Sequence, residues 1–275
     1  MDQVTATSKT RPARTGRTAA GAMVLVAIGL GVWSGADRTQ APPASGATLS
    51  RPGTPSTRPT LTVGTYNIRG GRGMDDRVDL TRTALVMKNI DVVGLNEIHG
   101  GRGPDNTTTL GQLLDRPSLF APTERRWWAD SFGNGLLCAL PVEGWLRIPL
   151  ISTRGAGYRC VLLTRVKWND KIVTVLLTHI DRRVDREKQL DAVFSLFEST
   201  APPAVLMGDL NTPRDDPRLQ KLIASGATDA LRDTLKDKDP VGRIEWILTR
   251  GLRVRDAGLI DHGASDHPFV WAELE

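Results

Sequence analysis

The 275-residue chain is 40% hydrophobic, enough to bury a sizeable core, and carries a formal net charge of +5. That excess sits in residues 1–59, where seven Lys/Arg face two Asp, whereas residues 60–275 balance at 29 basic and 29 acidic groups. Overall basicity is therefore no argument for a nucleic-acid-binding domain, and two cysteines without partner ligands exclude a zinc module.

Residues 1–17 form a basic lead with Lys9, Arg11, Arg14 and Arg17. An uncharged run, 18–36, follows, centred on "GAMVLVAIGLGVW". It approaches the roughly 20 residues that span a bilayer, with the preceding charges on the cytoplasmic side. It equally fits a secretory signal, with "SGA" at Ser34–Ala36 as the small residues of a cleavage site. Both readings place the remainder outside the cytoplasm, secreted or membrane-anchored. Residues 37–59 are rich in Pro, Ser, Thr and Gly, a composition that predicts a flexible linker before a domain at 60–275.

In that domain, short apolar runs read as strands: "LTVGTYNI", "DVVGLNEI", "GLLCAL", "RCVLLTRVKW", "KIVTVLLTHI", "AVLMGDL", "RIEWIL", "LRVRDAGLI" and "PFVWAEL". "WNDK" joins two of them as a hairpin. Helical spacing over 181–198 puts Leu190, Val193, Phe194 and Phe197 on one face. A second helix over 79–89 turns Leu80, Ala84, Leu85 and Met87 inward. Many strands and few helices predict an α/β (α+β) fold of two packed sheets with helices outside, in a monomer. Cys138 and Cys160, read on neighbouring strands, are either a disulfide or two buried thiols.

Apolar strands repeatedly end in a reactive side chain: Asn67, Glu97, His179, then Asp209 with Asn211, while Asp266 and His267 precede the final strand. Singly, each has an ordinary reading as a turn residue, an Asx-turn or a satisfied core histidine. Together they suit metal-assisted hydrolysis of a phosphate ester. Glu97 and Asn67 offer hard oxygens for Mg²⁺, with Mn²⁺ as the alternative. Asp209 can take the proton of an attacking water, and Asn211 can orient that water or hold the phosphate. His179 and His267 can donate to phosphate oxygens, and Glu245 is the candidate carboxylate partner of a histidine. His99, two residues after Glu97, reads as a loop residue or one at the cleft rim, His262 as a turn residue, and Trp127–Trp128 as core packing or a membrane-facing loop.

In order along the chain, "TYNIRGG", "DVVGLNEI", "FGNGLLCALPV", "VLLTHID", "VLMGDLNT", "RIEWILTRG" and "SDHPFVWAEL" resemble the motifs of the endonuclease/exonuclease/phosphatase superfamily, with the fold of deoxyribonuclease I. The resemblance implies a four-layer α/β sandwich, two mostly antiparallel sheets flanked by helices. It implies Asn67, Glu97 and Asp266 at the metal, Asp209 as water-activating base with Asn211 beside the phosphate, and His179 and His267 as catalytic histidines. Asn134 and Arg159 fall near the substrate. Glu245 departs from the family's usual Asp, which puts its pairing with His267 in question. A nuclease is the expected activity. A phosphodiesterase or phosphatase on phospholipid or inositol-phosphate headgroups is the alternative, and a non-catalytic surface binding module is a third reading.

Overall fold

The computed structural model describes residues 38–275 save 102, 127–130, 156, 237–239 and 241. The basic lead, the apolar run 18–36 and Trp127–Trp128 lie outside the described residues. Among the described residues no helix is long and apolar enough to cross a membrane.

From the N-terminus come β1 (Arg38–Gln40), β2 (Ala44–Gly46), β3 (Leu61–Asn67), α1 (Leu80–Val86), β4 (Val92–Gly100) and α2 (Asn106–Leu113). Next are β5 (Ser118–Pro122), β6 (Glu124–Arg126), β7 (Ser131–Cys138), β8 (Val142–Pro149), β9 (Cys160–Trp168) and β10 (Lys171–His179). The last third holds α3 (Arg186–Ser199), β11 (Ala204–Asp209), α4 (Pro217–Ala224), β12 (Thr228–Asp229) and α5 (Arg232–Leu235). It closes with β13 (Glu245–Arg250), β14 (Val254–Ile260) and β15 (Phe269–Leu274).

One sheet has the order β12-β13-β11-β10-β9-β8-β2 and the other β14-β15-β3-β4-β7-β5, while β1 and β6 form a two-stranded ribbon. Pairing in the two large sheets is antiparallel except for β3 with β4 and β10 with β11. Period-two alternation splits each strand between two cores. Val175 and Leu177 of β10, Val205 and Met207 of β11, Val63 of β3 and Leu136 of β7 share the core between the sheets. Leu176, Leu206 and Trp246 face outward against α3 and α4. Tyr66, Val93 and Leu95 pack outward against α1 and α2. The result is the expected four-layer sandwich.

The predicted helices form, and their caps show where they begin. Asp79 accepts the N–H groups of Thr81 and Arg82 at the start of α1, and Asp216 accepts that of Arg218 at the start of α4. Leu190, Val193, Phe194 and Phe197 are buried as expected. Leu85 is not, because the stripe that α1 buries runs through Thr83 and Ala84 and leaves Leu85 in solvent. Asn169 and Asp170 make the tight turn between Trp168 and Lys171.

Two expectations are corrected. Cys138 and Cys160 are two buried thiols, in line with one of the two readings, but they lie on β7 and β9 of opposite sheets rather than on neighbouring strands. Burial pushes both thiols up to about 12, so they behave as small hydrophobes. Residues 38–59, read as a flexible linker, lie along the domain instead. There β2 pairs with β8, Arg147 donates to the Pro42 carbonyl, Trp145 donates to that of Thr48, and Arg58 pairs with Asp91. Composition counts side chains that can be buried, whereas this strap is held largely through its backbone.

Candidate active site

The site is the polar end of the inter-sheet core. On β10 the inward series Val173, Val175, Leu177 continues to His179, and on β11 Val205 and Met207 lead to Asp209. In the parallel register of these two strands His179 stands beside Asp209. On the antiparallel side Asp209 stands beside Glu245, two residues before the inward Ile247. From the other sheet, Leu61 and Val63 lead to Asn67, which stands beside Asn96 of β4 at the end of β3.

Glu97 breaks the alternation, and a bulge explains it. Leu95 pairs with Gly135 and Ile98 with Gly133, so Asn96 and Glu97 together oppose the single residue Asn134. Glu97 sits at φ +57°, a conformation that costs free energy for a non-glycine residue and concentrates at functional sites. The extra residue lets both Asn96 and Glu97 serve the centre.

Asn67 joins the two sheets by donating to Glu97 Oε1 at 3.2 Å and to Asp209 Oδ2 at 3.1 Å. His179 Nε2 lies 3.5 Å from the same Asp209 oxygen. Burial, followed by the charge of Glu245, pushes the Asp209 carboxyl up to about 6. The longer Glu245 side chain does reach His267, hydrogen bonding through Oε1 to Nδ1. Burial opposes the charged form of His267, yet the hydrogen bond and charge of Glu245, then the charges of Asp209 and Asp266, carry its pKa up to about 9. His179 moves the other way. Its burial, then Arg159 and His267, hold it well below the ordinary histidine range, and its Nδ1 is buried without a partner. One imidazole is thus cationic and the other neutral at pH 7.

The remaining expected residues have mixed placements. Beyond Asp209 the strand ends and Asn211 turns to φ +46°, so period-two spacing does not carry its side chain to the face of Asp209. Its N–H donates to Asp209 Oδ1 and its amide to the Ile180 carbonyl, an Asx-turn that orients the base. Asn134 is buried and engaged with Asn96 and the Cys160 carbonyl, a brace for the bulge rather than an open substrate contact. Arg159 holds no carboxylate within ion-pairing distance among the described residues. Its Nε is buried without a partner, its guanidinium lies 5.5 Å from the Phe132 ring centroid, and it feels the charges of Asp181, Glu97 and Asp209. Asp266 remains 43% exposed, 3.8 Å from Arg69 Nε, and reaches Asn67 only through Ser265, whose hydroxyl donates to the Asn67 carbonyl at 2.7 Å.

Sequence reasoning missed Asn96, Ser265 and Phe132. Asn96 was legible in principle, since it shares the inward parity of Val92 and Gly94. Phe132 packs edge-on against His99 at 5.6 Å and also faces His179, which makes His99 part of the cleft wall.

Two donor sets compete for a divalent cation. Asp209, Glu245 and His267 have ligand atoms within 4.8 Å of one another, but Glu245 and His267 already occupy each other and the cationic imidazole is the wrong form for a ligand. At Glu97, the Asn67 amide is the one hydrogen-bond donor to the carboxylate among the described residues. The Glu97 carboxylate shares the Asn67 amide with that of Asp209, and such hard oxygens fit a hard cation.

The model of the Endonuclease/Exonuclease/phosphatase family matches residues 64–267. Among solved structures, the chain is similar to an endonuclease/exonuclease/phosphatase from Beutenbergia cavernae DSM 12333, with 24% identity and a TM-score of 0.68 over 79% of this chain and 72% of that one. A family protein from Leptotrichia buccalis C-1013-b gives 12% identity and a TM-score of 0.63 over 78% of this chain and 99% of that one. TDP2 from D. rerio, solved with a single-strand DNA product, gives 17% and 0.61 over 79% and 100%. No curated protein matches the chain. At these identities the solved structures speak for the fold.

Proposed function

Because the chain belongs to the Endonuclease/Exonuclease/phosphatase family of hydrolytic phosphoesterases, we propose that it is an extracytoplasmic, Mg²⁺-dependent phosphodiesterase acting on nucleic acid. The observation that carries the reading is Asp209: a buried carboxylate held by Asn67, the Asn211 N–H and His179, with its pKa raised toward 6. Such a group is ionised at neutral pH yet basic enough to accept a proton.

Attack of water on phosphorus transfers the water proton to Asp209 as the P–O ester bond breaks. His267, kept cationic by Glu245, donates to a phosphate oxygen and is the histidine able to supply the leaving oxygen's proton; neutral His179 positions Asp209. The Arg159 guanidinium, which has no carboxylate within ion-pairing distance among the described residues, meets the growing negative charge. Glu97, with Asn67 and Asp266, would hold the divalent cation, whose chemistry there is charge neutralisation at the phosphate. Location outside the cytoplasm rests on the apolar run 18–36. The nucleic-acid substrate is supported by the DNA product seen with D. rerio TDP2.

The full chain should be assayed with Mg²⁺ against plasmid DNA, RNA, sphingomyelin and inositol phosphates, beside Asp209→Ala. Nucleic-acid cleavage abolished by chelator and by the substitution is expected. Undiminished cleavage by Asp209→Ala would sink the mechanism, and cleavage of sphingomyelin alone would replace the substrate.

A further inference from the structure

Two loops leave the site side by side and are fastened together. Loop 150–159 runs from β8 to Arg159, and loop 180–185 begins at the residue after His179. Asp185 accepts the Thr153 N–H at 2.8 Å and the Thr153 hydroxyl at 2.7 Å. Gln189 accepts the Asp181 N–H and donates to the Ile151 carbonyl, both at 2.8 Å. Gly157 packs so near that a Cβ there would lie 2.9 Å from Asp181 Oδ2. Within the second loop, Asp181 Oδ1 accepts the Arg183 N–H, fixing the turn that carries Arg182 and Arg183.

The double loop carries net positive charge, with Arg154, Arg159, Arg182 and Arg183 against Asp181 and Asp185. Several arginines elsewhere hold carboxylates, Arg51 with Asp115, Arg165 with Glu143, half-buried Arg218 with Glu187 and Asp191, and Arg255 with Glu273, whereas exposed Arg72 donates to the Asp76 carbonyl. Arg154, Arg182 and Arg183 are exposed and have no carboxylate within 4.0 Å among the described residues. Lys188 adds a further positive charge near Asp185, where Arg154 also acts. The two acids of the loops themselves, Asp181 and Asp185, are spent on backbone and hydroxyl donors, and Glu187 beyond them pairs with Arg218. Two aliphatic side chains, Ile151 and Val184, stand 48% exposed among these cations.

One phosphate at the scissile position is served by Arg159. Charges that continue outward along a braced pair of loops suit an anion that itself continues. We propose that the double loop is a phosphate-backbone clamp, binding a single-stranded nucleic acid on the Arg159 side of the scissile bond, with Ile151 and Val184 against sugar or base. The braces matter because guanidinium groups held on a fixed turn lose little freedom on binding. The clamp rests on the nuclease reading for its biological meaning, but its test is a binding measurement.

The full chain in chelator is titrated into a fluorescein-labelled single-stranded 20-mer and anisotropy is read from about 50 to 200 mM salt. It is compared with a chain carrying Arg154→Gln, Arg182→Gln and Arg183→Gln. A second comparison, Arg165→Gln with Arg232→Gln and Arg255→Gln, removes the same charge elsewhere. The clamp variant should bind roughly tenfold or more weakly, its log–log salt slope flatter by about 2, the change expected for three lost phosphate contacts on a single strand. The comparison variant should keep the parent slope. Equal losses in both variants, or none in either, overturn the clamp, as does a parent chain that fails to bind the 20-mer. Clamp-dependent binding to vesicles of anionic phospholipid without such binding to the oligonucleotide also overturns it, in favour of a lipid surface. If the clamp variant loses oligonucleotide binding while the metal-loaded parent cleaves no nucleic acid, the clamp stands and the nuclease reading falls.

Discussion

Asn96 on β4 accepts the backbone N–H of Asp209 on β11 at 3.0 Å, while its own amide donates to Asn134 Oδ1 and the Thr178 carbonyl. A single fully buried carboxamide therefore spans from one sheet to the other at the position of the base. Replacing it by Leu, of similar volume, leaves the Asp209 N–H and the Thr178 carbonyl looking for partners. Loss of about 2–6 kcal/mol is expected, at about 1–3 kcal/mol for each stranded buried group. The catalytic rate should fall more than substrate affinity. Urea unfolding and steady-state kinetics together check this, and a variant with native stability and rate would show that the bridge is incidental.

Glu245→Gln keeps the shape of the pair with His267 and removes its charge. In chelator-treated protein, the His267 ring should titrate near 9 in the parent and substantially lower in the variant, because the group that favours the imidazolium is gone. Asp209 should become more acidic, since the charge of Glu245 is one of the causes raising it. NMR titration of the imidazole resonances reads the first change directly. A His267 resonance unmoved by the substitution would falsify the pairing.

Asp216 accepts from Arg186 Nη2 at 2.8 Å and caps α4. Burial works to raise its pKa, but Arg186 and the backbone donors of α4 hold it below the ordinary carboxylate value. A depressed folded pKa contributes stability above the unfolded value and loses it as pH falls through the folded one. Asp216→Asn should therefore be less stable at pH 7 by about 1–3 kcal/mol, with the deficit shrinking below pH 4. A deficit that is constant from pH 7 to pH 3 contradicts the linkage.

Gly208 sits at φ +139° between Met207 and the base, where a Cβ would run into the Thr178 carbonyl. Gly208→Ala forces β10 and β11 apart at His179 and Asp209. We expect a loss of stability of at least about 2 kcal/mol from strain and clash and a fall in activity greater than the stability change explains. Thermal unfolding beside kinetics of the folded fraction is the check. Native values for both would mean the strands can separate without consequence.

Glu97→Gln removes a hard anionic oxygen from the proposed cation site. Half-maximal activation should need at least about tenfold more Mg²⁺, in line with losses seen on weakening a metal's surroundings, while thermal stability without metal stays near the parent's. Unchanged Mg²⁺ dependence points instead to the Asp209, Glu245 and His267 group as the ligand set.

Much of the centre could be read from sequence because the inter-sheet face of each strand obeys a period of two. Asn67, His179 and Asp209 each end a largely apolar series that is visible as text, and Glu245 opens the strand that carries Ile247 inward. Glu97 reads as a strand end, whereas β4 continues to Gly100 and the aim of Glu97 depends on the bulge opposite Asn134, which is a property of two strands far apart in the chain. Asn211 forms the Asx-turn that its sequence also allows, because the period of two ends once the backbone turns at φ +46°. Ser265 and Phe132 act through contacts with residues distant in sequence, so neither carries a local pattern. The strap 38–59 escaped detection because its attachments are largely carbonyls and amides, which every residue possesses.

The strap also bears on how the chain tolerates processing. β2 covers the free margin of β8 from Trp145 to Arg147, and an uncovered margin of that kind invites pairing with a second molecule. Proteolysis after Ala36 would release the domain with this guard in place. Trimming to Thr60 would leave β8 as a bare selvedge, along which copies of the chain can zip together.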